Sequence, residues 1–101
     1  MNKARRKELS KVAKALNTIR DKKSLRNCIN ELENIKDDEQ RYYDNIPENL
    51  QYSQRAEDSE AAIDNLEEAL SLLNEVYDAD EFNKDSELIQ EAIDKIEDAQ
   101  W

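Results

Sequence analysis

A chain of 101 residues is one domain at most, and at that size a core leaves only a marginal surplus over chain entropy. Fifteen lysines and arginines against 25 aspartates and glutamates give a formal net charge of −10, with no histidine, no glycine, one proline and one cysteine. These absences remove imidazole bases and metal ligands, zinc signatures, glycine-built phosphate loops and any internal disulfide, and they leave Cys28 without a histidine to activate it.

Forty per cent charged and 38% apolar residues border on disorder, so the periodicity of the apolar residues decides. They are periodic, and the abundance of Ala, Leu, Glu, Lys and Gln favours long helices. The opening MNKARRKELSKVAKAL is basic like the start of a signal peptide, but Lys11 and Lys14 interrupt any apolar run. No stretch approaches the roughly 20 apolar residues of a membrane span, so a cytoplasmic protein without a membrane is expected.

Leu9, Val12, Leu16 and Ile19 recur at helical steps, and Leu25, Cys28, Leu32 and Ile35 do so again, reaching Tyr42 and Ile46 across a polar step at Glu39. The spacing predicts a helix over 3–45. A phase slip at 21–24 marks a kink or break, with Asp21 or Ser24 as a new N-cap. Cys28 reads as a small buried hydrophobe.

Pro47 disfavours helix at Ile46, so the first helical arm must stop there. Asn45 can end it, Ser53 can cap the next helix, and Leu50 is expected to plug the gap beneath the loop. Ile46 to Ser53 is therefore a turn, and an antiparallel, coiled-coil-like hairpin follows. The second arm, over 54–78, carries the stripe Ile63, Leu66, Leu70, Leu73 and Tyr77, widened by Ala62, Ala69 and Val76. That width calls for more than one partner helix. A third helix is predicted over 85–100, with Leu88, Ile89, Ala92, Ile93 and Ile96, after a turn rich in Asn and Asp.

Counted from the turn, residue 22 lies 24 positions before Ile46 and residue 78 lies 24 positions after Gln54, so the two breaks face each other. Either both arms bend there, or the two terminal helices fold or splay as a second pair. A straight hairpin would be ~60 to 65 Å long and two helices thick, too thin to hide the wide stripe. The fold class expected is an all-α single domain, 1–101, that either dimerises into a four-helix bundle, the favoured outcome, or folds back within one chain.

Charge is unevenly placed. Residues 1–26 hold ten Lys or Arg against Glu8 and Asp21, net +8, while residues 27–101 hold five against 23, net −18. One reading is internal neutralisation of the basic first helix by the acidic last one, where each exposed pair is worth ~0 to 1 kcal/mol. A second makes Arg5, Arg6, Lys7, Lys11 and Lys14 a nucleic-acid patch, although no aromatic interleaves them for base stacking. A third takes the carboxylates as the working surface. From Glu57 through Asp58, Glu60, Asp64, Glu67, Glu68, Glu75, Asp78 and Asp80 to Glu81 there are ten acids and no base. They are spread over ~36 Å of helix, about one per 3.6 Å, against one phosphate per 3.4 Å or so along a DNA strand.

The segment from Asp78 begins like a calcium loop and then departs from it, with Phe82 fifth, Asn83 where glycine is required and Ile89 in place of the bidentate glutamate. No cofactor or metal is expected, and no catalytic residue is nominated, since a thin hairpin offers no dry pocket for a general acid.

The basic start NKARRKELSKV, the turn DNIPENLQYSQR and the run AIDNLEEAL resemble a group of small acidic helical-hairpin proteins from Gram-positive bacteria and their phages and mobile elements. The likeness spans about Asn2 to Glu75, and the final helix with Trp101 is an extension to it. The resemblance implies the fold and a genomic setting and transfers no functional residue. Acidic phage proteins of this size include inhibitors of host defence nucleases, anti-CRISPR proteins among them, and the likeness to those is one of size and charge alone.

The function expected is a non-enzymatic protein-binding antagonist of a nucleic-acid-handling protein with a basic groove, a DNA mimic in the host cytoplasm if phage-encoded. Its face would be the ten acids, and Tyr42, Tyr43 and Tyr52 at the tip would anchor it. The alternatives are a scaffold that self-associates through the Ile63 to Tyr77 stripe, and DNA binding through the basic helix.

Overall fold

In the computed structural model, which describes residues 1–101, four α-helices build the fold: α1 (Lys3–Leu16), α2 (Lys22–Asp44), α3 (Gln54–Asp78) and α4 (Glu87–Asp98). A single 3-10 turn, Glu48–Leu50, lies between α2 and α3, and there are no strands.

Side-chain caps set most of the helix starts. Asn2 accepts a hydrogen bond from the Arg5 amide at the start of α1, Ser53 accepts from Ala56 at the start of α3, and Ser86 accepts from Leu88 at the start of α4. α2 opens with a capping box. The Asp21 carboxylate accepts from the Ser24 amide at 2.8 Å, and Ser24 Oγ accepts from the Asp21 amide at 3.3 Å. Donation from the Ser24 amide, with the Ser24 side chain adding to it, holds the Asp21 carboxyl below its ordinary range. Both residues expected at this break are therefore used, one as cap and one as its reciprocal partner. The break itself begins earlier than 21–24, because α1 stops at Leu16 and Ile19 is buried in the connection, not on a helix. The Asn17 and Thr18 amides close the last turn of α1 on Ala13 and Ala15.

α2 ends at Asp44, capped by Asn45, two residues before Pro47. Leu50 does not plug the turn. It is 49% exposed, because the 3-10 turn carries it outward, and Tyr52 is 94% exposed. At the other connection Asn83 Oδ1 accepts from the Asp85 amide, and α4 starts at Glu87, two residues after the predicted 85.

Each helix packs on two neighbours: α1 on α2 and α4, and α3 on α2 and α4. Arg5 of α1 meets Glu39 of α2, Glu39 meets Ser59 of α3, Glu68 of α3 meets Lys95 of α4, and Ser10 of α1 meets Gln100 just past α4. These contacts run neighbours antiparallel, giving an up-down-up-down four-helix bundle within one chain. The two terminal helices thus fold back as a second pair, and the molecule measures 48 × 22 × 18 Å, shorter than a straight hairpin.

This arrangement covers the wide stripe of α3 from inside. Ile63, Leu66, Leu70 and Leu73 are buried, and Tyr77 is half-buried against the core. The apolar seams of α1 (Leu9, Val12, Leu16), α2 (Leu25, Ile29, Leu32) and α4 (Ile89, Ile93, Ile96) complete that core. Self-association through the α3 stripe would therefore require opening the bundle, at a cost of ~1.5 to 3 kcal/mol for each large side chain returned to water.

Cys28 lies in the same core, where burial, with Glu31 adding to it, pushes its thiol up to about 11. In the folded chain a thiol-reactive dye at pH 8 should label Cys28 at least ~100-fold more slowly than in denaturant. Equal rates would show that this core is open in solution.

Candidate functional site

Three surfaces concentrate the predicted residues: the outer side of α3 and α4, the hairpin tip and α1. A fourth cluster, buried, was not predicted.

α3 carries Arg55 against eight acids, net −7, and α4 carries Lys95 against five, net −4. At 100° per residue Glu57, Glu60, Asp64, Glu67, Glu68, Glu75 and Asp78 share an arc of about 100° on α3. Glu87, Glu91, Asp94 and Asp98 share about 60° on α4. All eleven are exposed. Glu68 and Lys95 form an ion pair at 2.9 Å between the two helices, which holds the Lys95 ammonium above its ordinary range. The pair places the two columns side by side on one face of the bundle. Asp58 falls outside this arc, is half-buried and accepts from Gln54 Nε2, while Asp80 and Glu81 lie beyond the end of α3. On the α3 arc the seven acids span ~31 Å, roughly one per 5 Å. The 3.6 Å spacing read from the sequence therefore belongs to the chain and not to a face.

The basic residues fare differently. Arg5 points inward, its side chain 15% exposed and its Nε donating to Glu39 Oε1 at 3.1 Å. Arg6 donates to the backbone carbonyls of Met1 and Trp101 at 2.7 and 2.8 Å. Lys7, Lys11 and Lys14 remain exposed, so only three of the five predicted basic residues are free at the surface. α1 does lie beside the acidic α4, yet no ion pair joins them; the side-chain hydrogen bond on that side is Ser10 Oγ to Gln100 Oε1. Internal neutralisation is thus proximity without pairing.

At the tip the three tyrosines part company. Tyr42 packs inward, its ring 6.2 Å from that of Trp101 and 5.5 Å from the Arg5 guanidinium. Tyr43 is half-buried, and Tyr52 stands free. A hollow of about 330 Å³ at the tip is lined by Tyr42, Asn45, Ile46, Pro47, Leu50, Ser53 and Arg55. A longer groove of about 730 Å³ runs between α2 and α3, with Lys36, Glu67, Glu75 and Asp78 on its walls. No group of three or more acids or thiols converges to hold a metal ion, and no helix is long and apolar enough to cross a membrane.

The buried cluster centres on Glu39, which is fully enclosed. One of its oxygens accepts from Arg5 Nε and the other accepts from Ser59 Oγ at 2.6 Å, so one carboxylate of α2 ties α1 and α3. Ser59 is buried as well. The signal was visible as a carboxylate occupying an apolar slot of the stripe between Ile35 and Tyr42. Its partners, 34 residues upstream and 20 downstream, leave no local trace.

Comparison with protein-family models, with curated proteins and with solved structures finds no match to this chain.

Glu39→Ala should destabilise the fold by about 3 kcal/mol in denaturant titration, since it leaves the Arg5 guanidinium enclosed without its partner. The combination Arg5→Met, Glu39→Met and Ser59→Ala should recover most of that loss. A single Glu39→Ala loss below ~1 kcal/mol would mean the pair is solvated in solution.

Proposed function

We propose that this is a non-enzymatic binding protein that antagonises a nucleic-acid-handling protein by presenting the α3 and α4 carboxylates to a basic groove. The observation that carries the reading is the fate of the charges. Arg5 and Arg6 are spent on internal contacts, whereas the eleven acids of the α3 and α4 columns face solvent with Lys95 as their one paired cation. Such a field steers a cationic groove at high rate and low ionic strength and repels nucleic acid itself. A site that mimics a polyanion through fixed helices also keeps its charges in place without an ordering cost on binding.

In the phage or mobile-element setting that the sequence resemblance implies, the target would be a host defence nuclease or another DNA-binding enzyme in the cytoplasm. Nothing in this reading depends on one charge per phosphate, because the acid spacing of roughly 5 Å on α3 needs only a groove with distributed lysines and arginines. The basic-helix alternative is weakened by the inward turn of Arg5 and the backbone contacts of Arg6, which take two of its five cations and leave Lys7, Lys11 and Lys14, with Lys3, exposed on that side. Self-association as a scaffold has lost its stripe to the core, but the exposed tip gives it another route, developed below.

Reversing Glu60, Asp64, Glu67 and Glu75 to lysine tests the reading and spares the Glu68 to Lys95 pair. The wild-type chain should displace duplex DNA from a basic-groove nuclease in a competition assay, with displacement falling steeply as salt rises. The fourfold variant, at unchanged helicity, should lose at least ~100-fold in potency. Absence of competition across a panel of such enzymes, or equal potency of the variant, would remove the antagonist reading. A retarded DNA band with the wild-type chain would favour the basic helix instead.

A further inference from the structure

The hairpin tip differs chemically from the rest of the surface. Its two exposed large hydrophobic residues, Leu50 and Tyr52, are the only ones on the molecule; Leu50 lines the hollow with Tyr42, Ile46 and Pro47, and Tyr52 directly precedes Ser53 of the same lining. Four other hollows on the bundle each have at least one carboxylate in their lining. The tip hollow has none, and Arg55 is its one charged residue. Arg55 is exposed and makes no ion pair. The occupant that fits is therefore an apolar or aromatic side chain carried close to a carboxylate.

The chain itself carries that combination. Tyr52, next in sequence to Ser53 of the hollow's lining, is exposed, and Glu48 lies exposed on the 3-10 turn of the same connection. Knob, hole, cation and anion thus occur together on one patch, which is the requirement for a two-fold interface in which each copy uses the same surface. Charge points the same way. Residues 41–55 hold Arg41 and Arg55 against Asp44 and Glu48, net zero, in a chain of net −10.

We propose that the hairpin tip is a self-association site for a second copy of this chain, meeting it end to end. Tyr52 of each copy enters the hollow of the other, and Glu48 of each faces Arg55 of the other. The interface is small, so the dimer is a weak and reversible one, of the class that buries less than ~1,200 Å². It is distinct from a dimer through the α3 stripe, and it leaves the α3 and α4 carboxylates exposed on both copies. It does not rest on the antagonist reading.

Sedimentation equilibrium of the full chain, from about 10 µM to about 1 mM, tests it, because weak transient interfaces fall in that range. The wild type should pass from monomer to dimer over that span. Tyr52→Ala and Arg55→Glu should each weaken association at least ~10-fold. Neither residue lies in the core, and an acid at position 55 suits a helix N-terminus, so both variants should keep wild-type helicity. The double exchange Glu48→Arg with Arg55→Glu should restore association. A chain that stays monomeric at the highest concentration overturns the proposal. So does a dimer indifferent to either single substitution, or one that the exchange fails to rescue.

Discussion

One enclosed carboxylate ties together three of the four helices. Glu39 receives a guanidinium from α1 and a hydroxyl from α3, and it has no solvent to fall back on. A slide of α1 by one helical turn, ~5.4 Å, would strand both charges in the interior. Apolar seams alone tolerate such slides, because leucine and isoleucine make similar contacts in adjacent registers. The ionic contact therefore supplies register where the greasy contacts supply energy. Around it the same layer gathers Tyr42, Trp101 and Arg6, so the start of α1 and the residues after α4 are fastened to one end of the hairpin.

At the opposite end the fastening is of another kind. Lys22 and Arg26 of α2 lie 4.7 and 5.4 Å from the ring of Tyr77 on α3. Two cations over one aromatic ring hold the far end of the hairpin where α1 turns into α2 and where α3 ends. The basic residues of the first 26 positions are thus divided by geometry. Arg5, Arg6, Lys22 and Arg26 serve the fold, while Lys3, Lys7, Lys11, Lys14, Arg20 and Lys23 remain on the surface. The acids are not divided in this way. With the exceptions of Glu39, enclosed, and Asp21, used as a cap, they mostly border solvent, which is why their field survives folding.

Folding back within one chain also changes what association can mean. The α3 stripe that seemed to need a second chain is covered by α2 and α4 of its own chain, and the acidic columns of α3 and α4 come to lie together as a consequence. The same topology leaves Leu50 and Tyr52 uncovered at the α2 to α3 turn. Charge on the flank and apolar side chains at the tip are therefore spatially separate, and each can meet a different kind of surface.

The helices, the neighbourhood of their breaks and some of their caps were legible in the sequence because they depend on neighbours within four residues. Asp21, Asn45, Pro47 and Ser53 act on amides and torsions close by, so their effect travels with the local sequence. The burial of Leu9, Cys28, Leu32, Leu66 and Ile96 was legible too, since helical periodicity assigns a face before any partner is known. What periodicity cannot assign is the partner itself. Whether the wide stripe meets a second chain or α4, and whether Arg5 faces water or Glu39, were decided only when distant segments met. Each of those outcomes depends on contacts between residues far apart in sequence, where the free-energy difference comes from packing and desolvation and leaves no repeat to read.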